Sequence, residues 1–304
     1  MPSVDPTVVA AYLEHLTDED VKLLAGRDLE AVPPRELRRS LLGRRGGIDD
    51  LLGSPSVFGT IFGAGREGDP FVRVSPFLVF AVGLERAVRK LESASYVPEW
   101  AGVGRRALLF DVGRLREFAA SPWHRLFLAE LLASYTRVAS GSVIVSTSRG
   151  LRRHRFSDLD PVRLAGLLDI VPEAERPGVL RRLGDLALFL TGVFPDYVAR
   201  HGFSPVAQGR LLRAGGAAYA RQRRQLPNGE TVLRPGDGNA VALLEQLGRQ
   251  WYQAAFLGIP RPVPTSLAVL GELRERFGDA RRVLGLVTDA FLFPHRDSWF
   301  GVGP

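Results

Sequence analysis

The chain has 304 residues, with 40 basic and 33 acidic side chains, a formal charge of +7 and no cysteine. The lack of thiols excludes disulfides, thiolate nucleophiles, iron–sulfur clusters and thiolate zinc sites. A hydrophobic fraction of 45% beside 24% charged residues is that of a globular protein with a real core.

Only Lys22 and Lys90 are lysine, so the basic excess is arginine, whose planar fork suits phosphate and carboxylate. A GC-rich coding sequence would raise Arg, Ala, Gly and Pro together, so the location of the charge has to decide, not its total. No apolar run approaches the roughly 20 residues of a membrane span. The N-terminus MPSVDPTVVAAYLEH has neither a basic n-region nor an apolar h-region, so a cytoplasmic protein without membrane association is expected.

The first fifty residues read as helices. Asp5-Pro6 supplies an N-cap and an N1 proline, after which Val9, Tyr12, Leu13 and Leu16 recur at helical spacing. Thr17 with Asp20 opens a second helix toward Leu23 and Leu24, and Pro34 to Leu42 makes a third, stopped by Gly43. The glycine-rich stretch 53–70 reads as an ordered loop, although Val57, Phe58, Ile61 and Phe62 still need burial. The expected organisation is an N-terminal helical region over 1–52, a junction over 53–70 and a main helical domain over 71–304.

Ser75-Pro76 caps an apolar helix running from Phe77 to about Leu91. Ala107–Phe110 reads as a short extended piece followed by a short helix. A second Ser-Pro start at Ser121 leads a helix whose Trp123, Phe127, Leu131 and Tyr135 fall on nearly one face. The β-branched run Val143–Val145, the Arg149-Gly150 turn and the return through Phe156 predict a hairpin. Asp160-Pro161 restarts helix through Leu168. A central buried helix follows, from Glu173 or Pro177 to Gly192, and a short one ends at His201-Gly202. Helices are then expected over Val206–Gln225, Ala240–Leu257, Ser266–Phe277 and Asp279–Phe291, with a second small hairpin at Asn228-Gly229. The fold class is mainly α: a multi-helix globular fold with one β-hairpin at about residues 141–156 and a small N-terminal helical region.

Motifs for known chemistries are scarce. None of the five histidines stands four residues from another, and neither H-E-x-x-H nor E-x-x-H occurs, so no metal site is expected. The glycines of 59–68 lack the lysine of a phosphate loop, no G-x-S-x-G is present, and no motif calls for a cofactor. Asp185, inside the apolar run RRLGDLALFL, would have a raised pKa if buried alone and would then suit general acid–base work. Pairing with Arg181 or Arg182, one turn earlier, is the expectation. Asp196 is read as starting its short helix and His201 as ending it.

Two basic features stand out. The return strand alternates charge on both faces through Arg152, Arg153, His154 and Arg155, next to Arg149 in the turn, and such a strand projects instead of packing between layers. Residues 197–229 hold six arginines and no carboxylate. On one helix there, Arg210, Arg213, Arg221 and Arg224 would fall within an arc of about 80°. Like charge without compensation calls for a partner. A helix before a basic hairpin is also the order of a winged-helix module, but 122–138 is a core helix without reading residues, so sequence-specific readout is not expected.

These features favour a non-enzymatic binding or regulatory protein that applies an arginine-rich face to nucleic acid or another anionic partner such as an acidic protein. An alternative is an enzyme or sensor for a phosphorylated small ligand, with Arg149, Arg152, His154 and Asp158 lining a pocket. A third is a homo-oligomeric scaffold in which the arginines meet acidic stretches such as 17–20. An enclosed arginine cluster beside His154 would favour the small anion, and a flat or convex basic face the polyanion.

Overall fold

In a computed structural model the described residues are 5–26, 32–43, 47–63, 69–137, 140–147, 150–214, 239–293 and 295–301, with backbone alone across 140–156. The N-terminal helices are α1 (Pro6–His15), α2 (Asp18–Ala25), α3 (Pro34–Leu42), α4 (Gly47–Leu52) and α5 (Pro55–Phe62). Their starts follow the sequence chemistry. The Asp5 carboxylate accepts from Thr7 N, and Thr17 and Asp20 form a reciprocal capping box. The fully buried Asp20 also accepts from Ser75 N at 2.9 Å, which ties α2 to the start of α6 (Pro76–Ser93). The stretch 53–70 is not simply loop: Pro55 opens α5, because burying Val57 and Ile61 on one side demands helical spacing.

The centre is built by α10 (Arg176–Val193), α13 (Ala240–Leu257) and α14 (Thr265–Val287), which pack on one another, with α6 and α8 (Pro122–Ser134) alongside. Every residue of α10 from Leu183 to Val193 is buried. Two glycines let these helices approach. A Cβ on Gly184 would lie 2.7 Å from the Tyr252 ring, and one on Gly248 would lie 2.5 Å from the Phe277 ring. One continuous apolar cluster runs from Val8 to Phe300 and includes Tyr12, Phe80, Phe118, Phe189 and Trp251. The mainly α fold is as expected, and among the described residues no helix is long and apolar enough to cross a membrane.

The expected hairpin forms from β3 (Ser140–Thr147) and β4 (Gly150–Ser157), antiparallel, with Val143 opposite His154 and Val145 opposite Arg152. There is a second hairpin, which the sequence reading caught only in part at Ala107–Phe110. It pairs β1 (Val97–Gly102) with β2 (Arg105–Leu109), turning through Gly102 and Gly104 at positive φ. Its sequence is a poor strand former, containing Pro98, Glu99 and Gly102, and tertiary contacts hold it. Trp100 Nε1 donates to Asp196 at 2.7 Å, Glu99 accepts from Arg281 and Arg282, and Arg106 pairs with Asp289. Asp196 therefore anchors a hairpin in addition to lying in the first turn of α11 (Pro195–His201), while His201 ends that helix as expected.

Between the hairpins lies α7 (Gly113–Ala120), and α9 (Pro161–Ala165) follows β4. The helix expected over 206–225 is α12 (Pro205–Ala214), and its remainder, with the Asn228-Gly229 turn, lies outside the described residues. The two helices expected over 266–291 are one. α14 continues through a local kink at Arg276, whose guanidinium bonds Asp279 and the Arg114 carbonyl, and then runs into a π-turn at Thr288–Leu292. Last comes α15 (Arg296–Phe300).

Candidate functional site

A cavity of about 540 Å³ opens where α1, α6, α8 and α10 meet. Two helical stripes supply most of its wall. Phe127, Glu130, Leu131 and Ser134 stand at i, i+3, i+4 and i+7 on α8, and Gly178, Arg181, Arg182 and Asp185 repeat that spacing on α10. His15, the last residue of α1, and Phe77, in the first turn of α6, close the remaining side. Apolar and charged groups alternate around it, Phe127 and Leu131 beside Glu130 on α8 and Phe77 against His15.

The charged groups form a connected chain. His15 stacks on Phe77, with ring centroids 4.9 Å apart, and its Nε2 meets Glu130 Oε1 at 2.8 Å. This bond raises the imidazole pKa against the opposing effect of burial, and the C-terminal end of α1 also favours a cation there. Arg181 lies 3.8 Å from Glu130 Oε2 and 3.8 Å from Asp185 Oδ2. Both separations exceed hydrogen-bonding distance, and Arg181 donates to no described residue. Arg182 is the opposite case: it donates to Ser134 Oγ at 2.8 Å and to Asp158 at 3.3 Å, and stacks over the Tyr135 ring.

Asp185 ends the chain. The Tyr252 hydroxyl, brought across from α13 by the close approach at Gly184, donates to its Oδ1 at 2.9 Å. Burial pushes the Asp185 carboxyl up to about 6, against the lowering effects of Arg181, Tyr252 and Arg182. The same burial, with the Asp185 charge beside it, holds the Tyr252 hydroxyl well above its ordinary range. The expected pairing of Asp185 with Arg181 is present at 3.8 Å, yet it does not compensate the carboxylate for its burial. The structure thus combines the two readings of Asp185 that the sequence separated.

The arginines singled out in the sequence lie elsewhere. Arg152, Arg153, His154 and Arg155 are on β4, whose pleat puts Arg152 and His154 on one face and Arg153 and Arg155 on the other. Arg210 and Arg213 are exposed on α12 and pair with no carboxylate among the described residues. Arg149, Arg221 and Arg224 lie outside the described residues. Both β4 and α12 pack against the five-residue α9, so the two basic segments share one support. Asp158 does not line the cavity; it holds Arg182 from behind the wall.

Sequence reasoning missed His15, Glu130, Arg181 and Tyr252 as site members. The Arg181–Asp185 turn was a usable signal, but nothing local connects His15 with Glu130, 115 positions on. Among the described residues no group of three His, Asp or Glu is placed to hold a metal ion. Comparison with protein-family models, with curated proteins and with solved structures finds no match.

Proposed function

We propose that this chain binds a small organic ligand in the cavity between α1, α6, α8 and α10. The observation that carries this reading is the Asp185 carboxyl, buried in the cavity wall with its pKa pushed up to about 6, beside an arginine that hydrogen-bonds to nothing described. A packed core has no use for such an arrangement. Ligand sites do, because polar groups poised in an apolar cleft orient the ligand or exchange a proton with it.

The test is a small-molecule screen by thermal shift and chemical-shift mapping, run in parallel on wild type and Ala133→Phe. Ala133 lines the cavity from a half-buried position, so a phenyl ring there fills the space with little effect on the core. Hits should map to the cavity and be lost in Ala133→Phe. Hits that bind both proteins equally would refute the reading.

A second reading stands on the shared support of β4 and α12: an arginine-rich face for nucleic acid or another polyanion. Binding to mixed DNA and RNA would then weaken with salt, with a log–log slope of about 0.7–0.9 per phosphate contact. Arg210→Ala/Arg213→Ala should make that slope shallower by about 1 to 2 units without loss of stability. Salt-insensitive anisotropy, or indifference to the double substitution, would dismiss it.

A further inference from the structure

The cavity's cationic groups are under-used, and this points to the class of its ligand. Each carboxylate has one oxygen anchored, Asp185 Oδ1 by Tyr252 and Glu130 Oε1 by His15, while Asp185 Oδ2 and Glu130 Oε2 face Arg181 at 3.8 Å. Arg182 is engaged by Ser134 and Asp158 and stacks over the Tyr135 ring. The least engaged donors are on Arg181 and His15. The Arg181 fork reaches toward both carboxylates and bonds neither, and His15 Nδ1 has no partner among the described residues while its Nε2 is held by Glu130. A guanidinium and an imidazole whose pKa Glu130 raises line the same cavity as Phe77, Phe127 and Leu131.

We infer that the ligand is an organic anion, with a carboxylate or phosphate monoester head on Arg181 and His15 and an apolar, ring-sized body against Phe77, Phe127 and Leu131. The inference rests on the cavity being the ligand site. The physical reasons are three. Guanidinium meets an oxyanion with two parallel N–H bonds, and the unused fork of Arg181 offers that geometry. A half-buried cation between two carboxylates at 3.8 Å loses little by swinging onto a third anion, because it breaks no hydrogen bond. A cationic ligand could reach the outer carboxylate oxygens, Asp185 Oδ2 and Glu130 Oε2, only beside the Arg181 charge that faces both. The nearby carboxylates do repel an oxyanion, but Asp185 can answer by taking a proton, for which its pKa near 6 leaves it ready.

The experiment compares three probes that share one ring body: 1-naphthoate, 1-naphthyl phosphate and 1-naphthylmethylammonium. Affinities are measured by calorimetry at pH 6.5 for wild type, Arg181→Gln and Ala133→Phe. In wild type the anions should bind at least about tenfold tighter than the ammonium, and whichever anion is preferred identifies the head group. Arg181→Gln should weaken the anions by about 10- to 100-fold, the effect of a lost hydrogen bond to a charged group, and leave the ammonium unweakened. Ala133→Phe should lose all three. Arg181 is partly exposed and makes no hydrogen bond among the described residues, so its replacement leaves the fold intact, which a circular dichroism melt would verify. Ammonium bound tighter than either anion, and lost in Ala133→Phe, would overturn the ligand class and leave the site standing. Binding of none of the probes, or binding indifferent to Ala133→Phe, would overturn the site and this inference with it.

Discussion

Replacing Asp185 with asparagine should make this protein more stable at neutral pH. The carboxyl titrates near 3.8 in an unfolded chain and near 6 in the fold. A difference of about two units corresponds to about 3 kcal/mol, at about 1.4 kcal/mol per unit. The sign follows from the direction. Because the folded pKa is raised, the fold prefers the protonated acid, and that preference stabilises fully below about pH 3.8 and is lost as pH rises through about 6. Above pH 6 the folded protein carries a buried charge that Arg181, at 3.8 Å, does not fully compensate.

An amide in the same place keeps an oxygen to accept from Tyr252 and carries no charge. Asp185→Asn should therefore exceed wild type by about 2–3 kcal/mol at pH 7.5, and the two should converge near pH 4. Paired urea titrations at pH 4.5, 6 and 7.5, followed by far-ultraviolet circular dichroism, measure the gap directly, and the pH effects of all other groups cancel in the difference. A variant less stable than wild type at pH 7.5, or a gap that does not shrink as pH falls, would refute the reasoning. It would make Arg181–Asp185 an ordinary structural pair, the outcome that the residue pattern alone had suggested.

Other perturbations have equally definite outcomes. Arg125 is buried, donates to the Ala119 carbonyl and to Asp49, and faces the buried Glu85, so Arg125→Met should cost about 3 kcal/mol in chemical denaturation, by unpairing the Ala119 carbonyl and leaving Glu85 to Arg89 alone. Gly184→Ala would bring a methyl to 2.7 Å from the Tyr252 ring; a loss of about 1–3 kcal/mol is expected, with the hydroxyl moved off Asp185, which urea titration and ligand affinity would register. Affinity for 1-naphthoate should fall as pH rises from 5.5 to 8. First Asp185, facing Arg181, Arg182, Tyr252 and Glu130, loses its proton near 6; then His15, held above its ordinary pKa by Glu130, loses its charge. Calorimetry on Asp185→Asn should show the first of these two steps gone and the second retained.

What the sequence determined by itself was everything that depends on neighbours along the chain. Caps such as Asp5, Thr17, Ser75, Ser121 and Asp160 satisfy backbone donors two or three residues ahead, so the helix starts were legible where they occur. Ala240–Leu257 runs between its expected ends because Asn239 caps it and Gly258 closes it. The β-branched run before Arg149-Gly150 was enough for the β3–β4 hairpin.

Only the tertiary structure decided the rest. Strands β1 and β2 form against their own propensity because Asp196, Arg281, Arg282 and Asp289, all more than 90 positions away from their partners, hold them. α14 survives the break expected at Gly278 because Arg276 is bonded to Asp279 and to α7. The cavity is the extreme case. His15 meets Glu130 and Tyr252 meets Asp185 only after four helices have packed, and the pKa of Asp185 is a property of that burial, not of its neighbours in the chain. Local sequence sets which way a backbone turns over a few residues; the company a side chain keeps across the core, and hence its charge, is set by long-range packing.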